Sequence, residues 1–383
     1  MDNIAGNKSS LTWIVHISVV LLVALWLFPT VGLLVSSFRT TDQISSSGWW
    51  QSLFPTEQNV TLRATDPDDE GVQTLIDGVY TITGNLFEEP GAEIGVWGTS
   101  SRAIDSYVAG DTADLGDGET ITVQANGDYV WTGTVEMSGR GQRVFATAAT
   151  PPDFTLDNYD KVLFSGSQTD NMLKAFTNTL TVTIPATIIP IVIAAFAAYA
   201  LAWMDFPGRA ILIAMVVGLL VVPLQLALIP LLKLHLNIGI GKGYLGVWLA
   251  HTGFGLPLAI YLLRNYMVGL PRDIIENARV DGATDFQIFT KIILPLSFPA
   301  LASFAIFQFL WTWNDLLVAK VFLIDSTGQT TVMTNQIVEL LGTRGGNWEI
   351  LATAAFVSIA VPLVVFFAMQ KYLVRGLLAG SVK

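Results

Sequence analysis

Asp66, Asp68 and Glu70 stand at alternate positions of the run DPDDEGVQTLID, with Gly71 sixth and Asp77 twelfth. Carboxylates and a glycine turn wrap a calcium ion at that spacing. The twelfth position holds Asp in place of the bidentate Glu, and no helix-forming runs flank the segment, so the pattern favours a solvated acidic turn, with calcium as the weaker reading. His16, His235 and His251 lie far apart with no carboxylate at ligand spacing, and the chain has no cysteine. A zinc or thiolate site and a disulfide framework are therefore not expected. No G-x-x-x-x-G-K-[ST] run occurs, so the chain has no phosphate cradle of its own and no cofactor is expected on it. Gly241-x-Gly243-x-x-Gly246 matches a dinucleotide pattern in spacing alone; with no strand before it, it reads as a tight loop leading into an apolar run. No nucleophile, base and acid share a segment that looks like a cleft, and nothing recommends an enzyme.

The one charged stretch in the second half of the chain has a different character. PRDIIENARVDGATDFQIFTKIILP, residues 271–295, places Pro271 where a first helical residue would sit, followed by good helix formers to Val280. Gly282 stands where a left-handed cap is needed. Thr284 can cap a second helix, with Phe286, Phe289 and Ile293 on one stripe, ending before Pro295. The expected product is a helix, a glycine turn and a helix along the membrane surface, with Glu276, Arg279 and Asp281 facing water or a partner. A free connector would gain nothing by displaying Ile274, Ile275, Phe286 and Phe289, so the pattern suggests a knob that docks on a soluble protein.

The elements that hold this segment are apolar. Of the residues, 52% are hydrophobic and 13% charged, about half the charged share of soluble domains. Windows free of Asp, Glu, Lys and Arg run over 9–38, 175–204, 210–232, 243–263, 292–314 and 350–370. Each meets the ~20 residues needed to cross a ~30 Å hydrocarbon core. The fold class expected is an all-α membrane protein of six transmembrane helices. The first window is too long for a signal peptide and reads as a retained span. Cytoplasmic termini would place nine Lys or Arg inside against four in the short outer loops, which agrees with the positive-inside tendency.

Residues 39–171 then lie outside, with 21 acidic against 6 basic side chains. The alternating runs VYTITGNLF and EIGVWGTS indicate strands. ETITVQANGDYVWTG reads as two strands joined at Asn126-Gly127 by a primed turn. A β-rich extracytoplasmic insert from about Trp49 to Thr147 is expected, closed by a junction at Pro151-Pro152. The domain reading is 1–38, N-terminus and first span; 39–171, acidic insert; 172–383, a core of five spans carrying the charged loop 265–295 and a cytoplasmic tail.

Glu276-Asn277-Ala278 through Gly282 to Ile293-Leu294-Pro295 resembles the EAA signature of inner-membrane permease subunits in bacterial binding-protein-dependent ABC importers, with Asn277 where alanine is usual. FTLDNYDKVLF, AAYALAWMDFPGR, FLWTWNDLLVAKVFL and the tail YLVRGLLAGSVK are similar to the carbohydrate branch, and the acidic insert to alpha-glucoside-type subunits. The resemblance implies the type I importer permease fold, with half of a sugar pathway in this chain. It implies a second permease as heterodimer partner, an ATPase homodimer that holds ATP and Mg, an extracytoplasmic sugar-binding protein, membrane lipid and no nucleic acid. By matched position, Glu276 would face a basic group of the ATPase, Ala278 would allow close approach, Gly282 would make the turn, and Arg279 and Asp281 would share the surface. The tail with Arg375, Gly380 and Lys383 would reach the ATPase interface. The outer loop from Asp325 to Trp348, with Gly342, Gly345 and Gly346, would probe the binding protein.

Pro185, Pro190, Pro223, Pro230 and Pro257 are expected to kink helices around a cavity. Trp311, Asn314 and Asp315 are candidates for the pathway or outer gate; Asp315 either serves there or pairs with Lys320 at the interface. His251 reads as a snorkelling interfacial group. A membrane sensor with an acidic ligand-binding domain, a secondary transporter and a permease for a non-sugar substrate are the other readings.

Overall fold

A computed structural model describes residues 10–88, 90–164, 171–324, 327–343 and 346–379. The chain divides into two compact units, Met1–Asn158 with Asn347–Ala352, and Tyr159–Gly346 with Thr353–Lys383.

The first unit begins with α1 (Ser10–Ser36), a short α2 (Thr41–Ser46) and a helical turn at Trp49–Gln51. Nine strands follow: β1 (Thr56–Arg63), β2 (Thr74–Ile76), β3 (Val79–Asn85), β4 (Glu93–Gly98), β5 (Tyr107–Val108), β6 (Thr112–Gly116), β7 (Glu119–Val123), β8 (Asp128–Gly133) and β9 (Arg143–Thr150). They form two antiparallel sheets, ordered β1-β9-β4-β5 and β2-β3-β8-β7-β6. Burial alternates along β8 and β9, the period of two that a half-buried strand requires. Their inner faces share one core, with Trp97, Tyr129, Ile82, Ile94 and Ile121 fully enclosed. The strands reach Thr150, past the Thr147 limit expected from sequence. The β7–β8 turn departs from expectation too. Only Gly127 in it has positive φ, at 85°, and either primed turn centred on Asn126-Gly127 would need positive φ at Asn126. The loop spans Gln124 to Gly127, with the Gly127 N–H donating to the Gln124 carbonyl at 3.0 Å.

The elements after β9 are helical: α3 (Asp157–Phe164), α4 (Met172–Trp203), α5 (Arg209–Leu219), α6 (Leu224–Asn237), α7 (Tyr244–Val268), α8 (Arg272–Val280), α9 (Asp285–Ile288), α10 (Leu294–Leu296), α11 (Phe298–Trp313), α12 (Leu317–Phe322), α13 (Met333–Thr343) and α14 (Trp348–Ala379). Among the described residues four helices are long and apolar enough to cross a membrane, at Leu11–Ser36, Met172–Trp203, Tyr244–Val268 and Trp348–Tyr372. Two windows read as single spans are instead bent pairs: α5 and α6 meet at 111°, and the segment Asp285–Leu296 meets α11 at 70°. The count is six if each pair is one span. Small residues let α4 and α7 approach closely; Ala194, Ala195 and Ala198 on one and Ala259 on the other are buried in a shared cluster.

Of the prolines expected to kink helices, Pro223 marks a break, as N-cap of α6. Pro185, Pro190, Pro230 and Pro257 sit inside continuous helices. Continuity has a requirement: proline lacks the N–H that would bond the carbonyl four residues back, and in an apolar interior that oxygen needs another donor. The Thr181 carbonyl, freed by Pro185, accepts from Trp248 Nε1 at 2.9 Å. The Ala186 carbonyl, freed by Pro190, accepts from Gln308 Nε2 at 3.1 Å. The Ser358 carbonyl, freed by Pro362 in α14, accepts from Trp313 Nε1 at 3.0 Å. These bonds tie α4 to α7, α4 to α11 and α11 to α14.

Candidate functional site

The charged stretch folds as a rigid two-helix element. Pro271 is the N-cap of α8, with extended ψ of 124°, rather than its first helical residue; the helix starts one residue later. At its far end Gly282 has φ of 82°. Its N–H donates to the Arg279 carbonyl at 3.0 Å, and the Ala283 N–H to the Ala278 carbonyl at 3.0 Å. This pair of bonds is the Schellman closure that a left-handed glycine permits. Thr284 then caps α9: its Oγ1 accepts from the Gln287 N–H at 3.3 Å while Gln287 Oε1 accepts from the Thr284 N–H at 2.9 Å. Gln287 was legible in the sequence as the fourth residue of T-x-x-Q, a capping box.

Beyond α9 the helix widens into a π turn over Phe289–Ile293 and continues through Pro295 in α10, so it does not end before that proline. The π turn inserts an extra residue per turn and rotates the stripe read from sequence. Ile288, Phe289 and Ile293 are buried, while Phe286 is 65% exposed. Together with Ile275 they join the cluster that includes Tyr199 of α4, Leu263 and Met267 of α7 and Phe304 of α11. Ala278 packs half-buried against the same cluster, so the close approach its small side chain allows is to the chain's own core. Arg279 is also turned back: its Nη2 donates to the Trp203 carbonyl at 3.1 Å and lies 3.4 Å from Asp285 Oδ1, which accepts from the Tyr199 hydroxyl at 3.2 Å. Exposed on the element are Glu276, Asp281, Val280 and Phe286, with Arg279 itself about half exposed.

A second candidate region lies where the α5–α6 break, α7 and α11 meet. A cavity of about 500 Å³, mostly apolar, is lined by Leu220, Leu224, Phe254, Pro257, Gln308 and Trp311, among others. Just behind it, His251 is fully buried and its ring meets that of Trp311 edge to face at 5.8 Å. His251 Nε2 lies 3.6 Å from Asp315 Oδ2. The interfacial snorkelling role expected for His251 is thus excluded by its burial. Asp315 caps α12, accepting from the Val318 N–H at 3.2 Å and the Ala319 N–H at 3.0 Å. Its neighbour is His251; of the two roles read for it, the pairing with Lys320 is not formed among the described residues, because capping turns the carboxylate inward. Asn314 is exposed and its Nδ2 donates to the Leu310 carbonyl at 2.9 Å. Trp313, on the opposite face from Trp311, is buried. Sequence reading missed Gln308; the signal was an isolated amide in an apolar helix.

The remaining candidates scatter. The expected outer loop contains α13, which includes Gly342; Gly346 follows it, and Gly345 lies outside the described residues. Helix α14 continues to Ala379, while the side chain of Arg375 and residues Gly380 and Lys383 lie outside the described residues. In the acidic turn, carboxylates of the calcium-like pattern are bonded to backbone N–H groups. Asp66 Oδ1 accepts from the Gly141 N–H at 2.6 Å and the Asp68 carboxylate from the Gly139 N–H at 3.1 Å. Among the described residues no three His, Cys, Asp or Glu converge on a point where an ion could sit. Gly241 and Gly243 both have positive φ in the loop before α7, and Gly243 is its N-cap, a turn with no nucleotide fold around it.

Residues 163–378 match the family model described as binding-protein-dependent transport system inner membrane component. The alpha-glucoside transport system permease protein AglG of Rhizobium meliloti is 60% identical over 384 residues, covering 99% of each chain. The osmoprotective compounds uptake permease protein GgtD of Synechocystis is 58% identical over 230 residues, covering 60% of this chain and 76% of that one. A crystal structure of a bacterial ABC transporter that imports the acidic polysaccharide alginate aligns with a TM-score of 0.48 at 22% identity, over 58% of this chain and 81% of that one.

Proposed function

Because the chain belongs to the family of inner-membrane components of binding-protein-dependent transport systems, we propose that it carries an alpha-glucoside or maltose-like oligosaccharide through half of a membrane pathway. It is a permease subunit of a sugar ABC importer, a multi-pass membrane protein and not an enzyme. Its partners are a second permease, an ATPase homodimer holding ATP and Mg, and an extracytoplasmic sugar-binding protein. Each bent helix pair counts as one of six spans; both termini face the cytoplasm, and 39–171 forms the outer, β-rich domain. The full-length likeness to a permease named for alpha-glucosides supports the substrate class.

One observation carries the coupling role: the underside of the 272–293 element is fused to α4, α7 and α11, while Glu276, Asp281, Val280 and Phe286 stand exposed. A surface fused to three helices moves with them. An ATPase whose ATP-bound and ATP-free states grip it differently shifts the permease equilibrium by that difference. In the cavity, Trp311 offers an aromatic face on which a pyranose can stack. Asp315 and His251 lie behind it, and Asn314 ends α11 next to them. The tail with Arg375, Gly380 and Lys383 reaches the ATPase pair, and the segment with Gly342, Gly345 and Gly346 meets the binding protein.

The test is purification of a tagged chain. A second permease and an ATPase in double amount should accompany it, and Val280→Asp with Phe286→Asp should lower ATPase recovery while the permease pair persists. A chain isolated alone and still active in uptake overturns the reading. A second reading, an osmoprotectant as substrate, is favoured by the likeness to the permease named for osmoprotective compounds. Uptake of a labelled zwitterionic osmolyte that excess maltose leaves unchanged, with no uptake of labelled maltose, would select it.

A further inference from the structure

Within the acidic segment that follows α1, residues 43–56 carry no charge and include Trp49, Trp50, Leu53 and Phe54. The chain is folded back onto α1 there by fixed bonds. The Arg39 guanidinium, almost fully buried, donates to the Gln43 carbonyl at 2.6 Å and the Ser47 carbonyl at 3.1 Å. Asn158 Nδ2 donates to the Ser37 carbonyl at 3.1 Å and to that of Arg39 at 2.9 Å. The corner so formed lays Trp49 against the last turns of α1. Its ring centroid is 4.6 Å from that of Phe28, and it fills the space over Gly32, where an added methyl would come within 2.6 Å of the indole nitrogen. Trp50 stacks at 6.3 Å on the same Phe28.

Depth follows from helix geometry. The 27 residues of α1 span ~40 Å against a ~30 Å hydrocarbon core, so the helix overhangs by ~5 Å at each end. Gly32 is ~6 Å and Phe28 ~12 Å from the end at Ser36, so the two lie at the hydrocarbon boundary and several Å inside it. Trp49 and Trp50 share those depths. Beside Trp49, the side chains of Trp50, Leu53 and Phe54 are 61%, 73% and 66% exposed, next to a helix with an apolar 18-residue stretch only 6% buried within the protein. Tryptophan prefers this boundary, and interfacial segments sink ~5–10 Å into it.

We propose that Trp50, Leu53 and Phe54 form a hook inserted into membrane lipid beside the end of α1, fixing the first strand of the sandwich at the bilayer surface. The occupant is lipid because Trp50, stacked on Phe28 inside the boundary, and its exposed neighbours Leu53 and Phe54 adjoin the exposed apolar surface of α1. The inference rests on α1 being a span and is independent of the substrate and of the coupling role.

The chain has no cysteine, so Leu53→Cys and, separately, Phe54→Cys place single nitroxide labels on it in the complex co-purified with its partners and set in lipid nanodiscs. The unsubstituted complex supplies the background from partner thiols. Power saturation compares relaxation by oxygen, which concentrates in lipid, with relaxation by a water-soluble nickel chelate. The oxygen-to-nickel accessibility ratio should exceed one at both sites and fall below one at Ser138→Cys, an exposed position after β8. A ratio below one at 53 and 54 overturns the proposal in favour of water. Shielding from both relaxants overturns it in favour of a protein partner.

Discussion

Gln308→Met tests whether the helices are held by donors that replace proline's missing N–H. Gln308 is 2% exposed and its Nε2 is 3.1 Å from the Ala186 carbonyl. Methionine keeps length and volume and removes the donor. Side-chain hydrogen bonds between membrane helices are worth ~0.6 kcal/mol on average and up to ~1.7, and an orphaned buried acceptor costs ~1–3 kcal/mol. The expected loss is therefore about 1 kcal/mol, roughly fivefold in the unfolding constant. Pro190→Ala supplies a backbone N–H at the position from which a continuous helix reaches Ala186. In that background Gln308→Met should cost nearly nothing, and the cycle should return a coupling of about 1 kcal/mol, well outside the ~0.3–0.5 kcal/mol scatter of independent sites. Equilibrium unfolding in mixed detergent micelles, followed by tryptophan fluorescence across the four proteins, provides the measurement. Equal losses with and without Pro190 would refute the assignment of Gln308 to the freed carbonyl.

Gly282→Ala isolates backbone strain, since an added methyl meets nothing within 4 Å while φ of 82° is retained; a loss of ~1–2 kcal/mol should appear as reduced uptake per ATP hydrolysed with normal membrane insertion. Asp315→Ala removes the α12 cap and should cost ~1 kcal/mol in thermal unfolding, whereas Asp315→Asn should recover most of it. If Asn behaves as Ala, the charge facing His251 outweighs the cap. Trp313→Phe should destabilise less when Pro362 is also replaced by Ala, by the reasoning applied to Gln308, and additivity in unfolding scans would count against it.

The sequence by itself determined the membrane class, the absence of a nucleotide cradle, and the helix–glycine–helix element, because each depends on local facts. Apolar windows need only length, Gly282 needs only its missing Cβ, and Thr284 needs only the N–H of Gln287. Strands of the insert were legible for the same reason, their period of two being written in alternating side chains. Tertiary structure decided everything that depends on which face meets which. The π turn at Phe289–Ile293 turned Phe289 and Ile293 into the core and left Phe286, read on the same stripe, at the surface, a one-residue rotation that no 3.6-residue periodicity reveals. Asp315 was in sequence either a pathway group or a partner of Lys320 and became a helix cap with His251 beside it, since an ionisable group among apolar helices takes whichever donors packing brings. Trp248, Gln308 and Trp313 acquired their roles only when folding set each donor against a carbonyl that a proline, far away in the chain, had left without its N–H.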